Sequence, residues 1–217
     1  MTARVVPDDA AGRDAAIQVL RDGGVVALPT DTVYGICVAL ETTGGVERLF
    51  RAKRRPPGKG IMLLLAGADQ AGEIAALTPP AAALAAACWP GGLTVVVPQR
   101  PDVALPAALT AGSPTVGLRV PDHGAPRALA RALGPLPTTS ANVSGLPEAS
   151  DAAEILGQLG DSVDLILDGG PAHGGPPSTV VDCSGPWPSV LREGAVPLAR
   201  FIAILEAAGV SHGLAPG

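Results

Sequence analysis

Apolar runs bounded by glycine and proline recur along the chain: Gly24 to Pro29, Gly60 to Ala66, Leu93 to Pro98, Thr115 to Val120, Val163 to Leu167, Thr179 to Val181 and Val190 to Arg192. Short runs of this kind between turn residues predict strands. Longer segments between them carry the helical period, at Asp9–Arg21, Val46–Lys53, Pro126–Leu133, Asp151–Leu159 and Leu198–Ala208. Thr78-Pro79-Pro80 predicts an N-cap with proline in the first turn, opening an alanine-rich helix to Ala87. Strands mixed with helices in this way predict an α/β domain built on one twisted sheet. At Leu93–Pro98, and between Thr179 and Val190, too little chain separates neighbouring strands for a helical crossover. Part of the sheet is therefore expected to be antiparallel.

The helical stripe at Val46, Leu49 and Phe50 follows the i, i+3, i+4 rule, and Lys53 completes it on the same face. Lys53 is thus predicted to point inward. Pro56-Pro57 ends the helix and leaves Arg55 on the exit loop, so that both cations converge on one cavity. A cation closing an apolar stripe needs an anionic partner or a route to solvent, and the segment alone admits both a bound phosphate and a snorkelling lysine.

Composition adds to this picture. With 217 residues, 47% of them hydrophobic, the chain can bury the core of one domain, taken as residues 1–217. The first residues have neither the basic start nor the apolar run of a secretory signal, and no stretch approaches the roughly 20 apolar residues that span a bilayer. A soluble, cytoplasmic protein is expected. Cys37, Cys88 and Cys183 lie far apart without CxxC spacing, which predicts neither a disulfide framework nor a zinc site. No metal-ligand set is expected from the protein itself, and Cys37 reads as a core thiol. His123, His173 and His212 read as surface or loop residues.

A net charge of −5 and only five aromatic residues disfavour stable nucleic-acid binding. The cations are unevenly spread: of fifteen Lys and Arg residues, six fall between Arg48 and Lys59. That concentration fits either a local anion site or a solvated helix face that complements the helix dipole.

Two hydroxyl-rich segments stand out. Pro137-Thr138-Thr139-Ser140-Ala141-Asn142 reads as a loop of neutral donors and acceptors, and a short strand before it would place it where open α/β sheets bind ligands. An ordinary Ser/Thr/Asn turn fits equally. Pro29 to Gly35 closes the first apolar run with three threonine-type or acidic turn residues and Tyr34, the one tyrosine, which a β-turn with a buried, hydrogen-bonded phenol also explains. Arg119 and Arg192 fall in strand-like runs, where anion pairing and surface ion pairing both remain open. The stretch from Gly169 to Pro177 reads as a surface loop. GxxxxGK[ST], GxGxxG and GxSxG are all absent, so any nucleotide must be held by dispersed side chains.

Taken in order over roughly residues 10 to 200, these segments resemble the YrdC/TsaC family of threonylcarbamoyl-AMP synthases. The resemblance is carried by Pro29 to Gly35, Lys53-Arg54-Arg55 as KxR, Lys59-Gly60, Trp89 to Thr94, Val116 to Pro121, Ser140-Ala141-Asn142 as SxN, Asp168-Gly169-Gly170, Ser178-Thr179-Val180 and Leu191 to Gly194. It implies a single YrdC-like domain, a twisted mixed sheet with flanking helices around a concave ligand cavity. Thr30, Arg119, Ser140 and Ser178 would surround L-threonine. Lys53, Arg55, Asn142, Ser150 and Arg192 would face ATP or the adenylate, with Lys53 and Arg55 stabilising charge.

The implied reaction is that of a nucleotidyltransferase, which makes threonylcarbamoyl-AMP and pyrophosphate from L-threonine, bicarbonate and ATP. Mg²⁺ would arrive with ATP, and the product would pass to a tRNA threonylcarbamoyl transferase complex for N6-threonylcarbamoyladenosine synthesis. Longer relatives carry a histidine where this chain has Leu64, and add a C-terminal domain where about 25 residues follow Arg192. Two rivals share the fold: a paralogue binding RNA or nucleotide without this activity, and the carbamoyl-adenylate domain of hydrogenase-maturation proteins. The acylphosphatase-like and zinc-finger segments that accompany the latter are absent.

Overall fold

The computed structural model describes residues 2–56, 58–172 and 175–213. Its elements run β1 (Arg4–Pro7), α1 (Ala10–Arg21), β2 (Val26–Leu28), β3 (Gly35–Cys37), α2 (Gly45–Lys53), β4 (Met62–Leu64), α3 (Asp69–Ile74) and α4 (Pro79–Cys88). They continue with β5 (Leu93–Pro98), α5 (Ala107–Thr110), β6 (Thr115–Arg119), α6 (Gly124–Leu133), β7 (Leu136–Ser140), α7 (Ala152–Leu159), β8 (Leu165–Asp168), β9 (Thr179–Asp182), β10 (Ser189–Arg192) and α8 (Leu198–Ala207). The strands form one sheet in the order β1-β8-β2-β3-β7-β4-β6-β5-β9-β10. Parallel pairs (β1–β8, β2–β8, β4–β6, β5–β9) are mixed with antiparallel ones, including the expected β5–β6 and β9–β10.

Alternation along the strands divides the core between the two faces of the sheet. Ala27, Ile36, Leu63, Val95, Val116 and Leu118 face a core completed by Leu49 of α2, Leu84 of α4, Ile155 of α7 and Phe201 of α8. Val26, Leu28, Cys37, Leu64, Leu136 and Leu165 face the other side, against Ala16 and Leu20 of α1 and Leu129 and Ala130 of α6. Register carries this second face across the sheet as a row of partners: Cys37, Thr138, Met62, Gly117, Val96. Toward β6, β5 and β9 neither α1 nor α6 supplies core residues, and the same face lines a concavity.

Several expectations needed adjustment. The hydroxyl-rich Pro137 to Ser140 is not loop but most of β7, paired with β3 on one side and β4 on the other, so the turn begins at Ala141. β1, β3, α3 and α5 were not expected. Thr78 occupies the N-cap position of α4 without capping it, because its hydroxyl donates to the Cys183 carbonyl at 2.9 Å. α2 closes on Arg54 in the left-handed conformation at φ 52°, ahead of the prolines, with the Arg55 amide returning to the Phe50 carbonyl at 2.9 Å. Pro57, which was expected to help end this helix, lies outside the described residues, as does His173. Asp9 and Asp151 cap α1 and α7 through their carboxylates.

Gly194 sits where the chain leaves β10 and crosses the start of β9. A Cβ there would fall on the Pro177 carbonyl oxygen and within 2.7 Å of the Ser178 carbonyl carbon and the Thr179 nitrogen, all backbone. Gly194→Ala should therefore lower unfolding free energy by about 1–3 kcal/mol, the range for forced overpacking. Gly157→Ala, inside α7 with nothing within 4 Å of the new methyl, should raise it by about 0.5–1 kcal/mol. Denaturation midpoints of the two variants against the parent measure both.

Candidate active site

The concavity is a cavity of about 550 Å³. Its floor is the row Thr138, Met62, Gly117 and Val96, with Thr94 and Val180 beside it, and around it stand Thr30 and Thr32 to Gly35, then Arg55, Gly58, Gly60 and Ile61, the end of α5 with Ala111 and Ser113, and Pro177–Ser178 with Arg192 of β10. Of the residues predicted from sequence, it gathers Thr30, Arg55, Arg119, Ser140, Ser178 and Arg192. Lys53, Asn142 and Ser150 stand outside the lining.

Lys53 points inward as its helical position requires, and it is 3% exposed. Its ammonium donates to the Ser140 carbonyl at 2.7 Å, the Ser140 hydroxyl at 3.1 Å, the Asn142 carbonyl at 3.0 Å and Asn142 Oδ1. Three N–H groups facing four protein oxygens leave none for a ligand. The Asn142 amide is committed in the same way: Oδ1 accepts from Lys53 and from the Ser140 hydroxyl, and Nδ2 donates to the Val143 and Leu146 carbonyls. Ser150 is exposed, with its hydroxyl on Glu154 at 3.0 Å.

The three arginines are used differently. Arg119 is 2% exposed and donates to the Gly91 carbonyl, Thr32 Oγ1 at 3.0 Å and Asp31 Oδ1 at 2.7 Å. A guanidinium has five N–H donors, so two remain at the cavity wall. Burial pushes its pKa down, Asp31 opposes that, and Arg192 adds to it. Arg192 donates through Nε and Nη2 to the Ser178 carbonyl and through Nη2 to the Ser178 hydroxyl at 3.1 Å. Arg55 lies over the Phe50 ring at 5.7 Å and donates through Nε and Nη2 to the Lys59 and Gly60 carbonyls. In both, Nη1 carries none of these bonds and is left for an anion. Burial lowers both pKa values too, but an arginine stays charged at any physiological pH.

The neutral end of the cavity is an interlocked set of hydroxyls. Thr30 Oγ1 donates to the Val33 carbonyl at 2.7 Å and accepts from the Thr32 amide at 3.1 Å. Ser178 Oγ lies 2.9 Å from Thr94 Oγ1 and accepts from Arg192. Tyr34 is buried, accepts from the Gly169 amide at 3.0 Å and donates to the Gly170 carbonyl at 2.6 Å, so the phenol is a structural tie. Cys37 is a fully buried core thiol whose pKa burial drives up, which suits packing and not nucleophilic attack. His123 caps α6, with Nδ1 accepting from the Ala125 amide at 3.2 Å, and His212 lies beyond α8. The sequence marks Thr138 within a hydroxyl-rich segment and Thr94 within a family motif without giving either, or Met62, a site role, and strand alternation with register places them beside Ser178 and Ser140. Sequence reasoning missed Asp31 as the partner of Arg119, and Glu148, a lining carboxylate to which no pattern drew attention.

The concave α/β sheet lines its open face with hydroxyls and with arginines that keep spare donors, a surface suited in chemistry to an anionic, partly polar small molecule. The Sua5/YciO/YrdC family model, described as "Telomere recombination", matches residues 18–194, and the chain belongs to that family. It is similar to the threonylcarbamoyl-AMP synthase of Bacillus subtilis strain 168, with 36% identity over 201 residues, covering 92% of this chain and 58% of that protein. Its fold is similar to P. abyssi Sua5 complexed with L-threonine, at TM-score 0.86 and 30% identity, over 94% of this chain and 60% of that one. E. coli YciO matches at TM-score 0.81 and 28% identity, over 92% of this chain and 98% of that one. The chain thus spans less than two thirds of the length of the Bacillus subtilis protein and of Sua5.

Burial first, and the nearby Arg55 charge second, lower the Lys53 pKa from 10.5 to about 8, with Glu148 opposing them. Between those values the unfolded chain binds a proton that the folded one does not, so stability rises with pH across that window. Relative to Lys53→Met, the parent should gain at least about 1 kcal/mol of unfolding free energy between pH 8 and 10.5, read from urea titrations of both proteins.

Proposed function

We propose that this chain is an enzyme, a nucleotidyltransferase that makes threonylcarbamoyl-AMP and pyrophosphate from L-threonine, bicarbonate and ATP. The observation that carries the reading is the presence, inside one cavity, of a hydroxyl cluster held by Arg119 and Arg192 together with an uncommitted Nη1 on each of Arg55 and Arg192. In this reading Thr30, Ser140 and Ser178 orient threonine and the spare donors of Arg119 take an anionic oxygen, while Arg55 and Arg192 take phosphate oxygens. Relatives named threonylcarbamoyl-AMP synthase support it, as does Sua5 complexed with L-threonine.

The chemistry joins two anions. The uncharged amine of threonine captures carbon dioxide derived from bicarbonate, and a carbamate oxygen attacks the α-phosphorus of ATP. That O–P bond forms as the bond to the β-phosphate oxygen breaks and pyrophosphate leaves with the electron pair. The protein's task is to neutralise charge and align the reactants. Arg55 and Arg192 do so directly. Lys53 acts from behind the wall, holding Ser140 in place and adding its charge, and Asn142 completes that brace. Mg²⁺ bound with ATP would offset phosphate charge. The expected consumer of the product is a transferase that moves the threonylcarbamoyl group to tRNA, with the protein working in the cytoplasm. None of the helices among the described residues is long and apolar enough to cross a membrane.

Incubation with ATP, Mg²⁺, bicarbonate and L-threonine should release pyrophosphate and yield an adenylate with the mass of threonylcarbamoyl-AMP. Omitting threonine or bicarbonate, or replacing threonine by serine, should abolish or sharply reduce it. Arg55→Ala and Arg192→Ala should each cut the rate by about a hundredfold or more, the scale for losing a charge stabiliser of a transition state. Folded protein that forms no adenylate would refute the reading, and salt-dependent tRNA binding in its place would favour the RNA-binding paralogue.

A further inference from the structure

Glu148 presents the one carboxylate among the described residues of the cavity lining. It follows Pro147 in the turn after β7, half-buried, and lines the same cavity as Arg55 and Arg192. Among the described residues its side chain takes no hydrogen bond, and it belongs to none of the four ion pairs, which join Arg13–Asp8, Arg48–Asp164, Arg100–Asp102 and Arg119–Asp31. It is near enough, however, for its charge to act on both the Lys53 ammonium and the Arg192 guanidinium. A carboxylate that takes no hydrogen bond among the described residues therefore lines the cavity within charge range of Lys53 and of Arg192, the latter proposed above to take phosphate oxygens.

Two anions at such a place repel unless a cation lies between them. Mg²⁺ is commonly held by one or two carboxylates together with substrate phosphates, keeping several waters, and seldom by an all-protein cage. The donor set fits that mode: hard hydroxyl oxygens and a carboxylate that takes no hydrogen bond among the described residues. We infer that Glu148 is the protein's own ligand to the divalent ion that arrives with the nucleotide, and so makes nucleotide binding conditional on that ion. Without the metal, the same carboxylate turns phosphate away. The inference rests on the proposed function only in taking ATP as a ligand of this cavity.

The test is direct binding, free of turnover: calorimetric titration of adenosine 5′-(α,β-methylene)triphosphate into parent and Glu148→Gln proteins, each with Mg²⁺ and with chelator. The parent should bind on the order of tenfold more tightly, or better, with Mg²⁺, since loss of even an outer partner of a metal costs roughly that much. Glu148→Gln should lose most of that advantage and bind the metal-free nucleotide more tightly than the parent does. Titrating Mn²⁺ against the nucleotide complex, by the loss of its free-ion paramagnetic resonance signal, should show weaker metal retention in the variant. An unchanged Mg²⁺ advantage in Glu148→Gln would overturn the assignment. If the parent binds nucleotide equally with and without metal, this inference fails and the proposed function stands. If it binds none under either condition, the proposed function fails with it.

Discussion

The arrangement of the cavity hangs on a buried ammonium that has no carboxylate against it. Lys53 ends α2, and its charge is taken up by four neutral oxygens of Ser140 and Asn142. Its backbone joins in, the Lys53 carbonyl accepting from the Ser144 amide at 2.9 Å. Helix end and strand end are thereby tied at both main chain and side chain. Because Ser140 pairs with Gly35 across β3, the brace also fixes the edge of the Thr30–Gly35 loop. An ammonium satisfied only by dipoles is paid for in desolvation, which is why its proton is held less tightly than usual. Such a group persists where its donors determine the position of something else, and here that is the wall of the cavity.

Counting donors separates side chains that hold the site from those that face into it. Lys53, Asn142 and Tyr34 spend their donors on protein oxygens. Arg55, Arg119 and Arg192 spend some, and keep others. The partial commitment matters as much as the remainder: an arginine anchored through Nε and Nη2 cannot swing, so its spare donors meet a ligand without a large loss of side-chain freedom. Arg119 is the extreme case, held by a carboxylate, a hydroxyl and a carbonyl at 2% exposure. Removing Asp31 would leave that guanidinium buried and short of its counter-charge, the situation in which breaking an ion pair costs most.

What the sequence made legible follows from which signals are periodic. Lys53 continues a helical stripe, so its inward direction could be read directly. Strands whose apolar runs are bounded by turn residues, such as β5 and β6, read from the sequence at nearly their observed limits. β1 was missed because it is an edge strand with mostly exposed side chains, and β3 because three buried residues are too few to show a period. Pro-Thr-Thr-Ser has the composition of a turn, yet it forms most of β7, and its threonines are buried between strands paired on both sides. Position in a motif also says little about how a side chain is spent, as Ser150 shows, turned toward Glu154 at the start of α7. Glu148 had neither period nor motif, and only the cavity reveals it.

The distribution of charge follows from the same geometry. The chain is acidic overall, yet its cavity collects three arginines and rests against a buried lysine. Acids that approach this region are neutralised where they stand: Asp31 is bound to Arg119. Glu148 is the departure, since a free carboxylate there weakens the field that the arginines create. If the cavity served only to attract anions, a neutral residue at that position would leave the arginine field stronger, whereas Glu148, without a hydrogen-bond partner among the described residues, also favours the charged forms of Lys53 and Arg192. A carboxylate makes physical sense if the anion comes accompanied by a cation, and the cavity then discriminates between a bare phosphate chain and one already carrying its metal. The local charge balance, more than the fold, therefore determines which form of a phosphorylated ligand can enter.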